Sequence, residues 1–291
     1  MSSSSSLKRY QHGSGPHWAL VTGATNGMGF EWARQLAALG FSLLLHGRSA
    51  EKLETTRQSI LEGLPAGIKS EVKIRPVVAD AGSNPPQMAE LEAILSEGGL
   101  NLRVVVNNIG ITNEEYPRLE DTSDEDVIKM ATLNMIFPSL VARKTLPLLK
   151  KSQPSLMVNV SSLGAWAPSP YLSVYSGSKA YNLQFSRALY NEMILENAQV
   201  DVVAIVPGTV ISGMNDGPPT SFMPLSSDWV ASALSSLAPS FFSSRPGPVI
   251  VPWTPHSRGA KFLNMVPVSL ADRMTRNFVK NAKEKKGKEG K

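Results

Sequence analysis

The chain has 291 residues, 42% of them hydrophobic, a net charge of +5 and no cysteine. This length suits one or two domains with a large core, and the composition excludes disulfides and thiolate catalysis, as fits a reducing compartment. His12, His17, His46 and His256 are scattered without ligand spacing, which argues against a metal, and no apolar window is long enough to span a membrane.

Residues 1–15 begin with a serine run, lack a long apolar core and read as a disordered segment rather than a secretory signal. Residues 18–29, Trp-Ala-Leu-Val-Thr-Gly-Ala-Thr-Asn-Gly-Met-Gly, pass from a short apolar strand into a glycine-spaced turn, and residues 30–40 read as a helix. That order of strand, turn and helix suits a dinucleotide, because glycines allow close backbone approach and a helix amino terminus offers free N–H groups to a pyrophosphate. Gly23, Thr25, Asn26, Gly27, Met28 and Gly29 are therefore candidate cofactor contacts; the plainer alternative is a tight turn that tolerates glycine.

A second strand, residues 41–45, leads to His46-Gly47-Arg48 and a helix over residues 49–62. NAD sites usually carry an acid here for the ribose hydroxyls. Arg48 suits a 2′-phosphate instead and points to NADP(H), with a solvated arginine at a helix start as the alternative. A third strand ends at Asp80, positioned to contact the adenine or to cap a helix beginning near Pro86. A fourth, from Arg103, ends at Asn107 and Asn108, whose amides are placed to hold the strand against the dinucleotide.

The apolar run 156–161 is a buried strand that delivers Ser162 at its carboxyl end, thirteen residues before Tyr175. Tyr175 and Lys179 are four residues apart and share one helix face, so the ammonium lies near the phenol and favours its ionised form. Tyr175 is thus a candidate general acid/base and Ser162 a second hydroxyl aimed at a carbonyl oxygen that gains charge during reduction. After a further strand come Pro207, Gly208, Val210 and Ser212, within reach of a nicotinamide amide, and a Pro/Gly-rich stretch, 212–226, that reads as a substrate lid. Residues 163–170 with Trp166, and the segment 262–278, complete the substrate-side candidates. Phe262, Met265, Val266, Leu270, Met274 and Phe278 in that segment approximate a helical stripe, with a break or a helix start at Pro267, read first as core, otherwise as a tunnel lining or membrane dock. Residues 280–291 hold six lysines and two glutamates, a basic tail read as a solvated end with weak membrane-surface attraction as the lesser reading; nucleic-acid binding is not expected.

Together these residues resemble the short-chain dehydrogenase/reductase family over about 18–251. Trp-Ala-Leu-Val-Thr-Gly-Ala-Thr-Asn-Gly-Met-Gly, Leu-His-Gly-Arg-Ser-Ala-Glu-Lys-Leu, Val-Asn-Asn-Ile-Gly and Val-Tyr-Ser-Gly-Ser-Lys-Ala are similar to its 3-oxoacyl-CoA reductase and 17β-hydroxysteroid dehydrogenase branch. The resemblance implies an α/β doubly wound Rossmann fold with a mostly parallel sheet flanked by helices, in strand order 3-2-1-4-5-6-7, as one domain over 16–279. It implies an NADP(H)-dependent ketone reductase acting on a lipid-like, steroid-like or specialised-metabolite small molecule. In that reading Tyr175, Lys179 and Ser162 are catalytic, Tyr175 and Lys179 also hold the ribose, and Asn134 holds a water that relays protons to the lysine. It further implies a homo-oligomer built on the helix over 171–197, in the cytoplasm or peripherally at the endoplasmic reticulum. The alternative from another class is a catalytically idle NADP(H) sensor or scaffold on the same fold.

Overall fold

The computed structural model describes residues 7–113, 116–213, 215–238 and 244–289. Seven strands, β1 (Trp18–Thr22), β2 (Ser42–Gly47), β3 (Ile74–Val78), β4 (Leu102–Asn107), β5 (Ser155–Val160), β6 (Val200–Ile205) and β7 (Val249–Ile250), form one sheet in the order β3-β2-β1-β4-β5-β6-β7. Every pairing is parallel. A parallel sheet is covered on both faces, which is why β1, β2, β4, β5 and β6 are buried at every position and read as continuous apolar runs. Successive side chains still alternate: Ala19 and Val21 of β1 join one core cluster, Trp18 and Leu20 the other.

The first cluster packs α1 (Gly27–Ala38), α2 (Ala50–Glu62) and α7 (Ser226–Ser236) on one face through Trp32, Leu36, Leu53, Ile60 and Trp229. The second packs α3 (Ala89–Ser96), α5 (Phe137–Lys151) and α6 (Ser173–Leu195) on the other through Leu91, Phe137, Val141 and Leu189. Between α4 (Asp124–Ala131) and α5 the chain makes a π turn, Thr132–Ile136, that turns Asn134 wholly inward. Two last helices, α8 (Thr254–Met265) and α9 (Val268–Glu289), follow β7. The expected tail at 280–291 thus continues α9 as far as Glu289.

The expectation of disorder through residue 15 is corrected for residues 7–15. Lys8–Tyr10 form a 3-10 turn with Leu7 and Tyr10 buried. The Tyr10 hydroxyl donates to Asp201 Oδ2 at 2.7 Å, near the amino end of β6. The same segment gives its His12 carbonyl to Arg103 Nη2 at 3.0 Å, while Arg9 and Arg245 pair with the Asp201 carboxylate at 3.3 and 3.8 Å. Asp201 is fully buried, and burial raises its pKa while Tyr10, Arg9 and Arg245 pull it back and offset the cost of placing the carboxylate in the interior. The serine run ahead of these residues carries no hint of two apolar anchors so close behind it.

Replacing Tyr10 with Phe keeps the ring and removes the phenolic donor to this carboxylate. It is expected to cost about 1–3 kcal/mol of stability in urea unfolding; an unchanged midpoint would show that Arg9 and Arg245 satisfy Asp201 alone.

Candidate active site

The carboxyl ends of β1, β2, β4, β5 and β6 deliver the candidate residues to one edge of the sheet, where open α/β sheets bind ligands. Ser162 follows β5 and accepts from the Gly164 N–H at 3.1 Å, starting a three-residue 3-10 turn. The Leu163 N–H donates to the Pro207 carbonyl at 2.8 Å, tying this loop to the turn beyond β6. A Cβ on Gly164 would lie 3.6 Å from Ser162 Oγ and 3.7 Å from a Tyr175 ring carbon, so the two hydroxyl-bearing side chains flank the same small residue.

Lys179, one turn further along α6, is 3% exposed. Its ammonium donates to the Val160 carbonyl at 3.1 Å and lies 5.8 Å from the Tyr175 ring centre. Its own carbonyl accepts from Ser161 Oγ at 2.7 Å. Burial disfavours the cation and lowers the Lys179 pKa to about 8. Burial also raises the Tyr175 phenol, the Ser162 hydrogen bond pulling it back and Tyr116 adding to the rise. The expectation that Lys179 draws the phenol down is therefore outweighed by desolvation, and Tyr175 stays protonated, in its donor form, through neutrality.

Asn134 sits beside this pair with its amide fully engaged. Its Nδ2 donates to the Ile111 carbonyl and to Ser178 Oγ, both at 2.9 Å, and its Oδ1 accepts from the Ile111 N–H at 2.8 Å. These bonds hold the strand-four loop to α6. Gly110 separates the groups, since a Cβ there would meet the Lys179 ammonium at 2.8 Å and Asn134 Oδ1 at 3.4 Å.

The glycine turn lies alongside. Gly23 and Gly27 have φ of +64° and +52°, and a Cβ on Gly29 would come within 2.0 Å of the Gly23 carbonyl oxygen. Asn26 caps α1 by accepting from the Gly27 N–H at 2.7 Å, while the first-turn N–H groups of Met28 and Gly29 have no carbonyl one turn back to bond. Ser212 and Gly213 press on this turn, a Cβ on Gly27 reaching Ser212 Cβ at 2.9 Å. The turn is tied to β2 by the Ala24 N–H, which donates to the His46 carbonyl at 3.0 Å. Arg48, just past β2, is exposed and makes no hydrogen bond or ion pair with a described residue. Asn108 Oδ1 and Thr112 Oγ1 are buried with no partner among the described residues. Free N–H groups, an unpaired guanidinium and buried polar atoms without partners along this edge of the sheet fit a phosphorylated dinucleotide. Among the described residues no cluster of three or more His, Cys, Asp or Glu is placed to hold a metal.

The profile of the short chain dehydrogenase family matches residues 17–219. The chain belongs to the short-chain dehydrogenase family. Among curated relatives it is 30% identical to a very-long-chain 3-oxoacyl-CoA reductase of Pyricularia oryzae over 78% of this chain, and 34% identical to one of Yarrowia lipolytica over 76%. These matches span 66% and 57% of the relatives' own lengths. The fold is shared with a 7beta-hydroxysteroid dehydrogenase at TM-score 0.76, with 20% identity and coverage of 94% of this chain and 99% of that one. An alcohol dehydrogenase from Thermococcus sibiricus, solved with 5-hydroxy-NADP, aligns at TM-score 0.63 with 26% identity, over 75% of this chain and 88% of that one.

Other members of the expected short-chain dehydrogenase site fall differently. Asn107 is buried and its Nδ2 donates to Asn159 Oδ1 at 2.8 Å, so it joins β4 to β5, whereas Asn108 lies against the glycine turn. Asp80 caps no helix, because α3 starts at Ala89; its Oδ1 instead accepts from the Gly82 N–H at 2.9 Å and its edge is exposed. Thr25 lies against Gly47, Met28 packs on the core beneath the turn, and Val210 is buried.

His256 has no sequence motif around it, yet it joins two of these loops. Its Nδ1 accepts from the Gly208 N–H at 3.1 Å, which leaves Nε2–H to donate to the Phe222 carbonyl at 3.0 Å. A Cβ on Gly208 would meet this ring at 2.7 Å, a contact that only the fold reveals because 48 residues separate the partners.

Gly110→Ala keeps an ordinary backbone conformation but places a methyl against the Lys179 ammonium. Turnover is expected to fall on the order of 10²-fold with the melting temperature nearly unchanged; full turnover in the folded variant would show that the ammonium has another place to sit.

Proposed function

We propose that the protein catalyses hydride transfer between NADP(H) and a ketone, running as reduction to a secondary alcohol, with a 3-oxoacyl thioester as the first substrate class and steroid-like or specialised-metabolite ketones after it. The observation that carries the reading is the pair of side chains, Ser162 and Tyr175, flanking Gly164 above a buried Lys179, next to the glycine turn. When bound, the cofactor supplies the hydride. Gly23, Thr25, Asn26, Gly27, Met28 and Gly29 would hold its pyrophosphate, Arg48 its 2′-phosphate, and Pro207, Gly208, Val210 and Ser212 its nicotinamide end. Lys179 and Tyr175 would hold the ribose.

Ser162 and Tyr175 donate hydrogen bonds to the carbonyl oxygen, stabilising the charge that grows on it. Tyr175 then gives up its phenolic proton to that oxygen, and the Lys179 ammonium stabilises the phenolate left behind. Asn134 acts as a positioning residue that fixes Ile111 and Ser178 around the ammonium. Arg48 in place of an acid supports NADP(H) over NAD(H). The names of the relatives support the acyl class. The stretch 212–226 serves as a lid, held by the Ile211–Leu225 bridge and by the Trp253 indole N–H, which donates to the Ser221 carbonyl at 2.7 Å. Tyr181, Ile194 and Leu195 leave an apolar edge on α6 that supports a homo-oligomer built there. No described helix is long and apolar enough to cross a membrane.

With 3-oxoacyl thioesters, steroid ketones and aromatic ketones offered in parallel, at least one class is expected to oxidise NADPH much faster than NADH. Tyr175→Phe should lose nearly all turnover while binding NADPH; full activity in that variant would sink the mechanism.

The buried ammonium also sets a pH dependence. Lys179 is charged below its pKa of about 8 and neutral above it. On this account kcat/KM for the cofactor, which reports the free enzyme, is level below that value and declines as pH rises through it; a flat profile up to pH about 10 would contradict a role for the charge.

A further inference from the structure

The stripe expected to pack into the core lies on the outside. Phe262, Met265, Leu270 and Met274 are exposed, Met265 at 84%, Val266 is half-buried, and Val268 beside them is exposed at 77%, while the described buried residues of α8 and α9 are His256, Ala260 and Ala271. Phe278 lies outside the described side chains. These apolar residues do not line the substrate side either: it is Asp272 and Arg276 of α9 that border the cleft of about 490 Å³ beside Gly164 and Ser176.

Cations accompany the stripe. On α8, Arg258 and Lys261 each stand one turn before an exposed apolar residue, Phe262 and Met265. On α9, at 100° per residue, Leu270 and Met274 share one flank and Arg273, Arg276 and Lys280 the adjoining one. Arg258, Lys261, Arg273 and Arg276 make no ion pair with a described residue. Residues 254–291 hold ten Lys and Arg against three Asp and Glu, a net of +7, so with +5 for the whole chain the remaining residues are at −2.

We propose that α8 and α9 form a docking surface for an anionic phospholipid membrane, lying in the plane of the interface. Their apolar side chains enter the headgroup–acyl boundary and the flanking cations meet headgroup phosphates and carboxylates. An apolar stripe bordered by Lys and Arg on helices too polar to span is the pattern that binds in this way, and a cluster of lysines beyond it adds long-range attraction to a negative leaflet. A second copy is a poorer occupant, since a two-fold contact would set one +7 segment against another. The surface stands beside the lid, because Trp253 and His256 at the start of α8 bind the carbonyls of Ser221 and Phe222, and Phe222 is itself exposed.

Flotation of the full chain with vesicles tests this directly. The protein is expected to float with phosphatidylcholine–phosphatidylserine vesicles at low salt, less so at high salt, and not with phosphatidylcholine alone. The pairs Met265→Glu with Leu270→Glu, and Lys261→Glu with Arg273→Glu, change exposed residues only. Each should weaken binding by about tenfold or more, with melting temperature and turnover of a soluble ketone retained. Absence of flotation with the serine-containing vesicles, or binding untouched by both pairs, would overturn the proposal. So would a wild-type oligomer that the Met265/Leu270 pair dissolves without altering vesicle binding, since the apolar face would then belong to a second copy. Soluble turnover is read separately, so failure here leaves the catalytic assignment standing, and the reverse holds equally.

Discussion

A lysine buried to 3% exposure is a constraint that much of the surrounding structure meets. Its ammonium is cut off from bulk water and donates to the Val160 carbonyl, and its helix is held to the end of β5 by the bond from Ser161 to its own carbonyl. Gly110 leaves the space that the ammonium fills, and Asn134 fixes the loop carrying Gly110 through Ile111 and Ser178. The π turn that points Asn134 inward belongs to the same arrangement, a departure from regular helix of the kind found at functional sites. Desolvation, which would be a defect elsewhere, here moves the proton affinities of both members of the Tyr175–Lys179 pair, up for the phenol and down for the ammonium.

Parallel strands give the arrangement its reach. Because every strand points the same way, the loops after β1, β2, β4, β5 and β6 leave from a common edge, and residues far apart in sequence become neighbours. Close approach is then limited by Cβ atoms. Gly29 against Gly23, Gly27 against Ser212 and Gly208 against His256 each sit where one added carbon would collide. The glycines of this edge therefore do two jobs: Gly23 and Gly27 supply positive φ, while Gly29 and Gly208 supply clearance.

How much of this was readable beforehand depended on whether the signal was local. The β-branched runs identified the central strands, and the spacing of Ser162, Tyr175 and Lys179 identified residues that the fold brings to one place. Between Asn107 and Asn108, composition could not say which points inward, because that depends on strand phase against β1 and β5. The periodicity of residues 262–278 correctly marked helix but not what the apolar side would face, since amphipathicity describes a segment and not its partner. The alternative reading of Asp80 as a helix cap failed because the next helix starts later than the proline suggested. Tyr10 and His256 gave no warning at all, each drawing its meaning from a partner across the fold, Asp201 and Gly208.

The anchoring of Tyr10 to Asp201 also gives the molecule a head and a foot. Asp201 stands near the amino end of β6, whereas Ser162 and Gly208 lie beyond the carboxyl ends of β5 and β6. The Lys8–Tyr10 turn therefore lies at the pole away from the reactive hydroxyls, while α8 begins beside Gly208 at the other. A fluorophore or surface tether attached at the exposed Lys8 would hold the protein by its foot and leave the catalytic mouth facing outward.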